Sequence, residues 1–256
     1  MTNHTLLIIF KCVILSTLIA LIACDEQSKT AAPNIDSENK LLIFSKTEGY
    51  RHASIPDGVN ALQKMAGEDS WIADHTEDAT IFTSDSLDAY RAIIFLNTTG
   101  NVLDENQQSS FRNYIQQGGG FVGIHSATDT EYEWAWYGNM AGAYFESHPE
   151  IQEARLVVIN QNHPATEFLP DEWIRTDEWY NFKNINPNIN VLITIDESSY
   201  RGGKNGENHP IAWYHEFDGG RIFYTAGGHT SESYSSDQFL NHIWGGIEYV
   251  TRSSSD

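Results

Sequence analysis

The order of apolar runs in this 256-residue chain predicts an α/β fold: a doubly wound, mainly parallel sheet with helices on both faces and an added β-hairpin region. Two observations carry that expectation. Short, wholly apolar runs alternate with stretches of helical periodicity, the pattern of βαβ units whose parallel strands are buried on both faces. Further on, Asp218-Gly219-Gly220 separates two strand-like stretches, which is a hairpin signal.

Leu41-Leu42-Ile43-Phe44 reads as the first buried strand. Asp57 is the expected cap of a helix over 58–65, with Val59, Leu62 and Met65 at helical spacing. Trp71-Ile72-Ala73 is a second strand, and 92–96 is the clearest buried one. Asp104 caps the next helix, in which Phe111 and Ile115 lie four apart, and Gly118-Gly119-Gly120 ends it. Residues 121–124 form a strand that enters a turn at His125-Ser126. The stretches 211–217 and 221–225 form the hairpin, and 238–250 is a closing helix. Strands 41–45, 92–96 and 121–124 are expected to be parallel neighbours. Ligand-binding loops then lie at their carboxyl ends, over 46–56, 97–102 and 125–136.

Residues 5–23 are almost wholly apolar, interrupted by Lys11, Ser16 and Thr17. The run from 12 to 23 has the length of a secretory core and is marginal for a span of about 20 apolar residues. Leu21-Ile22-Ala23-Cys24 is similar to the bacterial lipobox, in which a small residue precedes an acylated cysteine. That likeness implies a lipoprotein signal over 1–23, cleavage before Cys24 and lipid on its thiol. The expected location is the bacterial cell envelope, anchored in the membrane and facing the periplasm or the surface. Residues 24–39 are too polar to offset their ordering entropy by burial and read as a tether. The folded domain is 40–251, with a tail at 252–256.

Composition narrows the function. The chain carries 35 Asp and Glu against 15 Lys and Arg, a net charge of −20. Nucleic acid needs a basic face, so it is not an expected partner. Walker A and post-strand G-x-G-x-x-G patterns are absent, and Gly118-Gly119-Gly120 precedes a strand, so a nucleotide is not expected either. Of the two cysteines, Cys12 leaves with the signal and Cys24 becomes the anchor. The domain then has no thiol for a nucleophile, a metal site or a disulfide.

Polar clusters fall at the predicted loops: Gly49-Tyr50-Arg51-His52, the run 123–129, Ser147-His148-Pro149, Asp177-Glu178-Trp179-Tyr180 and the run 224–229. His125 is the first candidate. A residue at the apex of a sharp strand-to-turn step faces the cleft, as in a nucleophile elbow. A neutral imidazole there acts as general base or ligates a metal. His52 and His229 follow strands and are expected in the same cleft with Glu178; these four form the candidate catalytic set. Asp177, Glu178, Trp179 and Tyr180 pair carboxylates with aromatic faces. Desolvation beside such faces raises a carboxyl pKa, and the faces stack on sugar rings while carboxylates take the hydroxyls. The candidate substrate-binding residues are Tyr50, Arg51, Ser126, Asp129, His148, Asp177, Trp179 and Tyr180. The segment 131–137 has the same mixed character. No cofactor is dictated, but a divalent metal held by histidine and carboxylate is permitted. His163 and His209 each precede a proline and read as structural.

These motifs resemble the trehalose-utilisation ThuA-like family. The likeness rests on G-Y-R-H at 49–52, G-G-G-F-V-G-I-H-S-A-T-D at 118–129, D-E-W-Y at 177–180, P-I-A-W at 210–213 and G-R-I-F-Y-T-A-G-G-H at 220–229. It implies a flavodoxin-like core related to the class I glutamine amidotransferases. In that larger group a cysteine occupies the elbow; His125 stands there in this chain, which argues against amidotransferase activity. The resemblance also implies sugar catabolism, often alongside 3-keto-glycosides, and hence a small-molecule carbohydrate partner.

A 3-keto sugar has an acidified proton on C2, and its removal lets the glycosidic oxygen on C1 leave. The leading expectation is a lyase or hydrolase acting on glycosides or 3-keto-glycosides by acid–base chemistry. The competing one is a non-catalytic lipoprotein that binds a glycan through the same aromatic cleft. Perturbed imidazoles in a water-excluding cleft mark the enzyme; a shallow platform with solvated histidines marks the binder.

Overall fold

The computed structural model describes residues 39–252. The expected signal, the lipid-bearing Cys24, the tether before Asn39 and the tail from 253 onward lie outside the described residues. Among the described residues, no helix is long and apolar enough to cross a membrane.

The first half alternates as expected: β1 (Lys40–Phe44), α1 (Ile55–Glu68), β2 (Ile72–Thr76), α2 (Ser84–Leu87), β3 (Ala92–Leu96), α3 (Glu105–Gln116) and β4 (Gly120–Ile124). A short α4 (Ala135–Ala141) follows, and then a β-rich stretch. This comprises β5 (Tyr144–Ser147), β6 (Gln152–Val158), β7 (Glu172–Asp177), β8 (Asn181–Lys183), β9 (Asn190–Ile195), β10 (Pro210–Phe217) and β11 (Gly220–Thr225), before α5 (Asp237–Thr251) closes the chain. Nine strands form one sheet in the order β2-β1-β3-β4-β11-β10-β9-β6-β7, and β5 pairs with β8 separately.

The five strands from β2 to β11 run parallel, in the flavodoxin-like order. Strands β1, β3 and β4 are parallel neighbours, as the apolar runs predict. Alternation of side chains sends successive residues to opposite faces. Phe95 stacks on Phe111 of α3 at 5.4 Å between ring centroids. Its neighbour Leu96 faces α1, where a Cβ added to Gly58 would lie 3.1 Å from the Leu96 Cδ1. Helices therefore cover both faces.

The expected hairpin forms between β10 and β11; β11 is at once the fifth parallel strand, and β10 begins an antiparallel extension through β9, β6 and β7. Of these outer strands β6 and β7 are the least uniformly apolar. In β6 it is Ala154, Leu156 and Val158 that turn inward, an alternation rather than a block. Asp57 is not the cap of α1. The helix starts at Ile55 with Pro56 in its first turn, where a missing N–H costs nothing, and Asp57 lies within that turn. Asp104 does cap α3, in a reciprocal capping box with Gln107.

The extension matters for function through its direction. From β11 to β7 the chain direction reverses four times. Strand β7 therefore points the same way as the parallel strands, and its carboxyl end arrives at the same edge of the sheet.

Candidate active site

Loops from both halves of the sheet meet at that edge. The β1 loop brings Tyr50 and His52, the turn after β4 brings His125 and Asp129, and the β11 loop brings His229. Strand β7 runs on into Glu178 and Tyr180, and β5 supplies Phe145 and, one residue past its end, His148.

His125 leaves β4 at φ +51°, a left-handed conformation that costs a non-glycine residue on the order of 1 kcal/mol. The Tyr224 hydroxyl donates to the His125 carbonyl at 2.7 Å and holds it there. Gly123 makes room for that ring: a Cβ in its place would lie 2.9 Å from Tyr224 Cδ2. His229 follows Gly228, whose φ is +112°. The backbone N–H groups of Gly228 and His229 donate to the Asp177 carboxylate at 2.9 and 3.1 Å. The Gly228 carbonyl accepts from the Ser54 hydroxyl, the Asn97 amide and the Tyr234 hydroxyl at 3.2, 3.1 and 3.1 Å.

The side chains converge tightly. His229 Nδ1 lies 3.1 Å from Glu178 Oε2 and 3.2 Å from His125 Nε2. His125 Nε2 is 3.5 Å from the same Glu178 oxygen, and His148 Nδ1 is 3.0 Å from Glu178 Oε1. The His52 ring stands edge-on to His125 and His229, with centroids at 4.8 and 5.0 Å. One ligating atom from each of His52, His125, Glu178 and His229 falls within 4.8 Å of every other, so the four can surround a single ion. Above them opens a cavity of about 400 Å³ lined by Tyr50, His52, Asp129, Phe145, His148, Glu178, Tyr180 and His229. That volume is in the range of small-ligand sites, about 300–1,000 Å³.

Burial and proximity shift the charges of this cluster. Burial, reinforced by the His125 and His229 imidazoles, pushes His52 down to about 2 against the pull of Glu178. Burial is the largest influence on Glu178 and favours its neutral form, but His125 and His229 beside it together outweigh burial and hold the carboxyl well below its usual range. Burial lowers His229, yet contact with Glu178 overrides it and leaves the imidazole raised. Burial raises Asp129, opposed by the Tyr132 hydroxyl that donates to it at 2.6 Å.

A family model described as trehalose utilisation, ThuA, matches residues 40–250. The chain belongs to the ThuA family. That family is one of carbohydrate utilisation. No curated protein sequence matches the chain. Among solved structures, a ThuA-like protein of Bacteroides uniformis superposes with a TM-score of 0.72 at 24% identity, over 83% of this chain and 91% of that one. A ThuA-like protein of Parabacteroides merdae gives 0.70 at 20% identity, over 83% and 90%. A β-galactosidase of Bacillus circulans gives 0.53 at 12% identity, covering 84% of this chain but 31% of that one. At these identities the likeness is one of fold.

In this ThuA domain the four candidate catalytic residues are in one cluster, and Tyr50, Asp129, His148 and Tyr180 line the cavity above it. The other candidates are corrected. Arg51 forms an exposed bidentate pair with Glu77 at 2.6 and 3.0 Å and does not line the cavity. Ser126 is buried, with its hydroxyl 3.4 Å from His52 Nδ1. Trp179 is wholly buried in the core, its indole N–H donating to the Gln152 carbonyl at 2.9 Å. Asp177 is wholly buried as well and holds the β11 loop instead of facing a ligand. His125 itself has no exposed surface; it forms the layer beneath the cavity floor, not an open apex. In 131–137, Glu131 is buried and accepts the N–H groups of Val102 and Leu103.

Sequence reasoning missed Phe145 in the cavity wall, and Ser54, Asn97, Ser233 and Arg175 in the supporting layer. Arg175 had a signal. Trp173, Arg175 and Asp177 alternate along β7, and the inward Arg175 pairs with Asp177 at 3.0 Å between the Trp173 and Phe239 rings. Ser54, Asn97 and Ser233 have none, because the side-chain contacts that tie them to the site span 43 or more residues.

Proposed function

We propose that this chain is a carbohydrate-active enzyme that cleaves glycosides or 3-keto-glycosides by acid–base chemistry. The observation that carries this reading is Glu178, a carboxylate touched by three imidazoles at the closed end of a cavity walled by Tyr50, Phe145 and Tyr180. Aromatic faces suit the apolar side of a sugar ring, and converging ionisable groups supply its proton transfers.

On a 3-keto-glycoside the reaction is an elimination. His148, oriented by Glu178 and partly exposed, takes the C2 proton. The electron pair moves toward C1 as the C1–O bond breaks, and Asp129, whose carboxyl burial favours the protonated form, returns a proton to the leaving oxygen. The charge that grows on the C3 oxygen meets the His52–His229 end of the cluster. Hydration of the resulting enone by water completes a net hydrolysis.

The location we propose is the cell envelope, on a lipid carried by Cys24, where such an enzyme meets sugars outside the cytoplasm. The test is incubation of the purified protein with a panel of glycosides and their 3-keto forms, with products followed by mass spectrometry. Release of aglycone that Glu178→Gln suppresses supports the reading. Saturable binding without product leaves a glycan-binding protein, and neither product nor binding removes carbohydrate from consideration.

A further inference from the structure

His125 Nδ1 lies 2.8 Å from the Ala226 carbonyl oxygen. A carbonyl only accepts, so Nδ1 carries the proton, and a neutral His125 presents a lone pair at Nε2. That lone pair faces the Glu178 carboxylate at 3.5 Å and His229 Nδ1 at 3.2 Å. Two electron-rich atoms in such contact need a positive centre between them, which the His229 Nδ1 proton or a bound cation supplies. The third edge of the triangle, His229 Nδ1 to Glu178 Oε2, is 3.1 Å. Ligands about 2.0–2.1 Å from one tetrahedral ion stand about 3.3 Å apart, which the three edges bracket.

From this geometry we infer that His125, Glu178 and His229, with His52 as a fourth donor, form a divalent metal centre at the floor of the cavity. It deepens the proposed function, since it names what supports the negative charge on the substrate oxygen, and it rests on that reading only for its use.

The surroundings are those of a metal site. Each donor is oriented by a second group: His125 by the Ala226 carbonyl, His52 by Ser126, Glu178 by His148 and the His229 backbone by Asp177. Among the described residues, no lysine or arginine lines the cavity to neutralise Glu178 in place of an ion. His52, Glu178 and His229 also line the cavity, so an ion among them keeps an open side toward substrate oxygen. Imidazole with a single carboxylate suits zinc and its neighbours over magnesium or calcium, which prefer all-oxygen sites. The histidines that would hold the ion are distinct from the proton carriers His148 and Asp129.

The experiment uses the purified full chain without a histidine tag, stripped with a chelator and dialysed. Metal content is read by mass spectrometry after loading with zinc, and the visible spectrum is read with cobalt(II) as probe. About one ion per chain is expected, with a cobalt spectrum of low-symmetry nitrogen and oxygen ligation. His125→Ala empties a buried position, so Glu178→Gln and His229→Gln, which conserve volume, carry the test. Each should weaken zinc binding by at least about tenfold. A stripped chain that takes up no ion, or one whose binding is unchanged in both variants, overturns the centre. A metal-free chain that still cleaves 3-keto-glycosides overturns the part of the ion in the reaction and spares the acid–base reading; an ion bound with no action on any sugar spares the centre and overturns that reading.

Discussion

The Asp177 carboxylate accepts the backbone N–H of His229 at 3.1 Å. The end of an antiparallel strand thus fixes a loop that belongs to the parallel half of the sheet. The same carboxylate takes the Gly228 N–H, the Ser233 hydroxyl and the Arg175 guanidinium. One buried side chain therefore ties the candidate active site to the sheet.

Asp177→Ala leaves Arg175 buried without its partner. Breaking a buried pair in this way costs about 3–5 kcal/mol, and in a domain of this size each kcal/mol lowers the thermal midpoint by about 2–4 °C. Thermal unfolding followed by circular dichroism checks it. A midpoint within a degree of the parent protein would show that the network is replaceable.

His125→Ala removes a support of Glu178 and His229 and should lower turnover by about ten- to a hundredfold. The sequence alone predicts an unchanged thermal midpoint for this variant, because it places His125 on an open turn. The burial of His125 reverses that part. Removing a buried hydrogen-bonded ring and putting alanine at φ +51° should lower stability by about 2 kcal/mol or more. Paired rate and unfolding measurements separate the two effects.

Glu178→Gln keeps the side-chain volume and removes the charge that three imidazoles share. Turnover on a 3-keto-glycoside should fall by about two orders of magnitude or more. An unaltered rate would exclude the carboxylate from the chemistry.

Acid should destabilise the fold from just below neutrality, through its buried histidines. Burial lowers His242 to about 3 and His215 and His163 to about 4. Between those values and 6.5 the unfolded chain binds more protons than the folded one, so stability rises with pH through this window and is fully present above 6.5. Each histidine contributes up to about 1.4 kcal/mol per pH unit across it. A midpoint flat from pH 8 to 7 and falling steadily below 6.5 is expected; a midpoint constant down to pH 5 would contradict it.

Cys24→Ser should release the protein from the membrane fraction, because the serine cannot take the lipid on its side chain. Cell fractionation with mass spectrometry of the amino-terminal peptide checks this. An unmodified Cys24 in a membrane-bound parent protein would defeat the anchor.

The parallel half of the fold and its site motifs were legible in the sequence for a local reason. Strands buried on both faces must be apolar throughout, so 41–44, 92–96 and 121–124 announce themselves, and the residues that follow them lie at the functional edge by the geometry of βαβ units. His52, His125 and His229 could be read in that way. Beyond β10, which the hairpin signal marked, the antiparallel extension was not legible, since β6 and β7 bury only alternate residues. Its course decided what the sequence left open. Four reversals bring Glu178 beside three imidazoles, put Trp179 in the core and turn Asp177 inward to hold the His229 loop. Sequence spacing fixes which loop a residue occupies. Which side chains touch across 51 or 104 residues depends on how the strands are ordered and directed in the sheet.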